Sequence, residues 1–210
     1  MSFIETIPDT EINDDVRAMY ERQKSFWGFV PNYARVFCYR PEIMGLWAQL
    51  QAGIKRSMDK RRFELVTFAA AHALRSTACS IAHGTVLARF IPAADVLAIS
   101  RGETPASLSP EEAAMVAFAR TVAVDATAVT ADDVRGLKEL GFSDGEIFDI
   151  AATSAARAFW TKLLDALGVE ADAAFQKLDP EFRDALAVGR ALDFDSRQGE
   201  RAITLATASA

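Results

Sequence analysis

Cys79 and His83 sit four positions apart in the stretch ACSIAHG. On a helix that spacing puts both side chains on one face, one turn from each other. A thiol with an imidazole one turn away is the arrangement that makes a thiolate near neutral pH. Glu64 lies on the preceding apolar segment, flanked by hydrophobic residues, and could join them in moving a proton. Ser76, three positions before the cysteine, is the fourth residue of interest.

Two helices must position these groups. Residues 62–74 carry Phe63, Val66, Phe68, Ala70 and Leu74 among strong helix formers, so they read as one helix. Ser76-Thr77 interrupts the pattern. Ser76 suits an N-cap, with its hydroxyl accepting from the amide of residue 78 or 79. Cys79 then falls in the first turn of the next helix, where free amides and the helix dipole favour negative charge. Both effects push the thiol below its free value of about 8.5. Burial among alanines and isoleucine pushes the other way.

The rest of the chain reads as helices as well. Asn13 caps a helix through about Trp27, and Pro41 opens one running to about Arg56. Ile43, Leu46, Trp47, Leu50 and Ile54 form the apolar face of that helix. Ser109-Pro110, Thr130 and Ser143 start three more, and Gly141 and Gly168 end two of them. Pro180–Val188 is one further helix. Residues 1–178 are expected to form one helical domain, and 179–210 a C-terminal helix with a tail or arm. Trp27, Trp47 and Trp160 read as core or interface anchors, His72 as structural and Cys38 as buried filler.

Composition narrows the field. The chain has 210 residues, half of them apolar, enough for a sizeable core. A net charge of −6 with no basic patch argues against nucleic acid. No apolar run reaches the roughly 20 residues that span a bilayer. The acidic N-terminus has no signal-peptide pattern, so a cytoplasmic setting with reduced thiols is expected. Two cysteines make no disulfide framework, and the spacing of Glu64, His72, Cys79 and His83 fits no zinc signature. Neither a metal nor a cofactor is expected.

With its ordered motifs, the sequence resembles the alkylhydroperoxidase D-like (AhpD-like), or carboxymuconolactone decarboxylase, superfamily, and within it the branch called peroxidase-related proteins. FVPNYARVFCYRPEIMGLW is similar to that branch's opening, and RRFELVTFAAAHALRSTACSIAHG to the core motif of a glutamate followed by CxxCxxxH. Residues 109–169 resemble its C-terminal half. The resemblance implies an all-α fold, an AhpD-like helical orthogonal bundle. It matches Glu64 to the family's glutamate, Cys79 to its second cysteine and His83 to its histidine, while Ser76 stands where the first cysteine would be. In peroxidase members the second cysteine attacks the peroxide and the first closes a disulfide.

A serine cannot close a disulfide. The expected activity is therefore a one-cysteine hydroperoxidase, with an SxxCxxxH variant of the motif, whose sulfenic acid awaits an external thiol. The alternatives are a decarboxylase-like acid–base enzyme using Glu64 and His83 on a lactone-like acid, and a non-catalytic oligomeric relative. The implied partners are a small-molecule substrate, a thiol reductant and further copies of the chain, as a dimer, trimer or hexamer.

Overall fold

A computed structural model of the chain describes residues 2–192. Among the described residues it is all helix and turn, with no strand. Two short helices open the chain, α1 (Asp14–Trp27) and α2 (Asn32–Val36), with a 3-10 turn at Phe37–Tyr39. Then come α3 (Pro41–Ile54), α4 (Lys60–Ala73), α5 (Thr77–Leu87) and α6 (Ala93–Ser100). The C-terminal half holds α7 (Pro110–Asp125), α8 (Ala131–Glu139), α9 (Asp144–Ala166) and α10 (Pro180–Ala185). The helix starts follow from capping chemistry. Ser109, Thr130 and Ser143 each close a capping box with the acid three residues on.

Helix α4 is the hub. It packs most heavily on α7, α5 and α9, and nine consecutive residues, Phe63 to Ala71, are buried. A helix buried all round cannot be amphipathic, which is why its sequence is a run of alanine and hydrophobic residues. Its N-terminal end is pinned from outside. Arg61 donates to both oxygens of Glu112 on α7, at 2.6 and 2.8 Å. The main core gathers Leu65, Phe68, Ile81, Leu87, Met115 and Ile150, together with Phe182 and Leu186 from the C-terminal segment. A second cluster joins α1, α2 and α9 around Val16, Met19, Phe37, Trp160 and both cysteines.

The turn between α4 and α5 sets the angle of the motif helices. Ser76 N–H donates to Ala71 C=O at 3.1 Å, and Arg75 sits in the left-handed region with φ 59°. This is a Schellman closure built on a residue that is not glycine. The segment after α10 then crosses over this turn. Gly189 N–H donates to Thr77 Oγ1 at 2.9 Å, and Thr77 Oγ1 donates to Arg190 C=O at 2.7 Å. A side chain at Gly189 would run into the Arg75 carbonyl, its Cβ only 1.8 Å from that oxygen.

Two expectations need correction. Ser76 is the N-terminal flanking residue of α5, but its hydroxyl caps nothing; it is turned inward, buried and without a hydrogen bond. The expected apolar face of α3 is only partly buried. Trp47 and Ile54 pack inward, whereas Ile43, Leu46 and Leu50 face outward, Leu46 at 63% exposure. Phe148 and Phe159 on α9 are also exposed. The tail expected beyond residue 192 lies outside the described residues.

Candidate active site

Helices α4 and α5 bring Glu64 and His83 into contact. His83 Nδ1 is 2.8 Å from Glu64 Oε2. A carboxylate can only accept, so Nδ1 carries the proton and Nε2 is left as the basic nitrogen. Burial and the nearby Arg157 push His83 below its ordinary pKa, against the opposing pull of Glu64. The imidazole is therefore neutral at pH 7. Burial alone would raise the Glu64 carboxyl, but His83, Lys55 and Arg157 outweigh it and hold it below the usual range. The resting pair is a carboxylate and a neutral imidazole, which is the state a general base requires. His83 is ringed by protein, yet its side chain keeps 19% exposure because it lines a cavity.

Cys79 lines the same cavity, of about 550 Å³. It is a free thiol, almost fully buried, and burial pushes it above its ordinary pKa. Of the two opposing effects weighed from the sequence, burial wins. No hydrogen bond joins its sulfur to His83 among the described residues. The groups that favour its thiolate are Arg157 and, more weakly, the nearby Ser76 hydroxyl, which itself makes no hydrogen bond. A neutral thiol at rest becomes reactive when a proton is taken from it, and the neutral His83 on the same cavity wall is the available base.

Arg157 on α9 is the residue that sequence reasoning missed. It is 5% exposed, and among the described residues its Nε has no hydrogen-bond partner and it makes no ion pair. Its guanidinium carbon stands 5.7 Å from the Trp47 ring centre. Burial disfavours its charge, and the neighbouring thiol and Glu64 partly restore it. The available signal was one arginine in the otherwise small and apolar run AATSAARAFW. A charge on the inward face of such a helix needs a reason to be there.

The cavity wall is aromatic. Trp47 stacks on Trp160 with ring centres 4.5 Å apart, and Phe37 also stacks with Trp160, at 5.1 Å. Trp27 Nε1 donates to Tyr33 Oη at 2.8 Å, and Tyr33 Oη donates to Gln23 at 2.6 Å, which fixes one rim. Trp160 is buried in the second cluster with Trp47 packed against it, as expected of anchors, and Trp27, Trp47 and Trp160 all line the cavity as well. His72 packs near Phe68 and is not among the lining residues. Cys38 is buried, and its sulfur accepts from the Ile7 amide at 3.4 Å. Among the described residues no three of His, Cys, Asp and Glu converge in a way that could hold a metal.

The fold has known counterparts. A peroxidase-related protein from Ralstonia eutropha, described as an alkylhydroperoxidase AhpD core, superposes with a TM-score of 0.73 at 22% identity, covering 90% of this chain and 98% of that one. The chain has the AhpD-like fold. A peroxidase-related protein from Silicibacter matches with a TM-score of 0.71 at 16% identity, over 84% of this chain and 94% of its own. The debrominase Bmp8 matches at 0.70 and 16% identity, over 86% and 96%. No protein-family model and no curated protein matches the sequence. At these identities the AhpD-like likeness speaks for the architecture and leaves the chemistry to the residues above.

Proposed function

We propose that the protein is a thiol-dependent hydroperoxidase that works with one cysteine. The observation that carries this reading is the shared cavity: Cys79, His83 and Arg157 line it together, with His83 held by Glu64. His83 takes the thiol proton, and the sulfur attacks the outer oxygen of a hydroperoxide. The O–O bond breaks, the leaving alkoxide takes the proton back from His83, and Cys79 becomes a sulfenic acid. One external thiol then displaces water to form a mixed disulfide. A second external thiol releases Cys79 and leaves as the oxidised disulfide. Arg157 steadies the anionic sulfur during attack. Ser76 cannot act as the resolving thiol; buried beside the sulfur, it contributes a hydroxyl dipole. A reducing cytoplasm would supply the thiol.

A second reading has its own support. The Glu64–His83 pair is complete without the thiol, and the thiol is held neutral at rest. The same cavity could therefore run acid–base chemistry on a lactone-like acid. Peroxide consumption with excess dithiothreitol separates the two, measured for the native chain and for Cys79→Ala. We expect the variant to lose turnover and the native sulfur to be trapped by dimedone after peroxide treatment. Unchanged turnover in Cys79→Ala would remove the peroxidase reading. Lactone turnover that survives Cys79→Ala and vanishes in His83→Ala would establish the acid–base one. We further propose that the exposed apolar residues of α3 and α9 are where copies of the chain meet.

A further inference from the structure

We propose that the cavity beside Cys79 takes a flat apolar molecule carrying a single carboxylate, with Arg157 as the anchor for its charge and the Trp47–Trp160 pair as the wall it lies against. This rests on reading the cavity as the substrate cavity.

Size is the first argument. A space of about 550 Å³ falls in the range that encloses drug-sized organic ligands, roughly 300–1,000 Å³. Hydrogen peroxide, scarcely larger than water, needs far less. The lining is the second argument. Trp47 and Trp160 lie nearly parallel, 15° apart, and Tyr33 meets Trp160 edge-on with ring centres 5.5 Å apart. Fixed rings of this kind favour a planar, apolar guest.

The third argument is the unspent charge. Arg157 is a deeply buried guanidinium that, among the described residues, makes no ion pair and leaves its Nε without a partner. A guanidinium offers five N–H donors in a fixed fork, so one side can face the Cys79 sulfur while another holds a carboxylate. Lys55 adds a second positive charge on the α3 side of the cavity. Two acids, Glu170 and Asp172, also line it, but they belong to the segment after α9. The Asp172 carboxylate there accepts from the Asn32 amide at 2.7 Å. The charges therefore differ by place: acids beside Asn32, and the guanidinium beside Cys79 and Trp47.

The test uses two probes of one shape, 2-naphthoate and the uncharged 2-naphthamide, titrated by calorimetry and by quenching of tryptophan fluorescence. Binding is measured for the native chain and for Cys79→Ala, so that the result does not depend on thiol chemistry. We expect 2-naphthoate to bind at least about tenfold more tightly than the amide in both, as one charge-assisted contact implies. Arg157→Gln should erase that preference and keep amide binding, while Arg157→Lys should restore part of it. Equal affinity for the two probes, no binding of either, or a preference that survives Arg157→Gln would each overturn the proposal. The probe pair on the native chain decides the matter even if the Arg157 variants fail to fold. Selective naphthoate binding by a chain that consumes no peroxide would keep the anion site and remove the peroxidase reading. Peroxidase activity without selectivity would do the reverse.

Discussion

Cys79 is reactive only if its neighbours offset its burial. Its thiol lies above the ordinary range, so the thiolate fraction is small at neutral pH and grows as the solution becomes more alkaline. Alkylation by iodoacetamide should therefore accelerate with pH to a midpoint above the free-cysteine value of about 8.5. Because Arg157 pulls that value down, Arg157→Gln should move the midpoint higher still. A midpoint below that of free cysteine, or one indifferent to Arg157, would contradict this account. His83 carries a stability prediction. His83→Ala leaves the buried Glu64 carboxylate without its hydrogen-bond donor, which should cost about 1–3 kcal/mol in denaturant unfolding. Cys79 and His83 were legible because their spacing is local, and Glu64 because the resembled motif places a glutamate before them. Arg157 was not, since it reaches the site from α9 through tertiary packing that no short window of sequence records.

At the scale of elements, the starts of α7, α8 and α9 were readable because caps are local chemistry, an oxygen, a turn and an acid three residues later, and that of α1 because Asn13 caps the Val16 amide. Ser109→Ala should lower stability by about 1 kcal/mol by freeing the Glu112 amide, with the shift seen in thermal unfolding. Ser76 also read as a cap in the sequence, though Cys79 rather than an acid follows three residues on; it turns its hydroxyl inward, because the Schellman closure at Arg75 and the overlying C-terminal segment fix the turn instead. That segment can be tested directly. Gly189→Ala places a Cβ against the Arg75 carbonyl and should detach residues 186–192, read as earlier proteolysis at the C-terminus and a lower melting temperature. An unchanged melting temperature would show that the crossing is unimportant. The face of α3 was misread for a simple reason. Periodicity reports that a helix has an apolar stripe, but it does not say whether the stripe meets this chain or another surface.

For the whole molecule, the all-α architecture followed from composition and helical periodicity, and the AhpD-like fold from the order of its motifs. The aromatic cavity did not. Trp27, Trp47 and Trp160 are far apart in the chain and converge only when α1, α3 and α9 pack together. The outward apolar residues carry the prediction at this scale. Light scattering after size-exclusion chromatography should give a multiple of 22.9 kDa, and Leu46→Glu with Leu50→Glu should reduce it to the monomer mass. A native monomer would refute the proposed meeting of copies.

The crossing of residues 189 and 190 over the start of α5 has a kinetic consequence. Among the described residues, Thr77 is tied to Gly189 and Arg190 and Ser76 is buried beneath, so the motif position that would carry a resolving thiol is covered. On the one-cysteine reading proposed above, oxidant and reductant share the aromatic cavity as their doorway and use it in alternation. Double-reciprocal plots should run parallel, and each co-substrate, in excess, should slow the other.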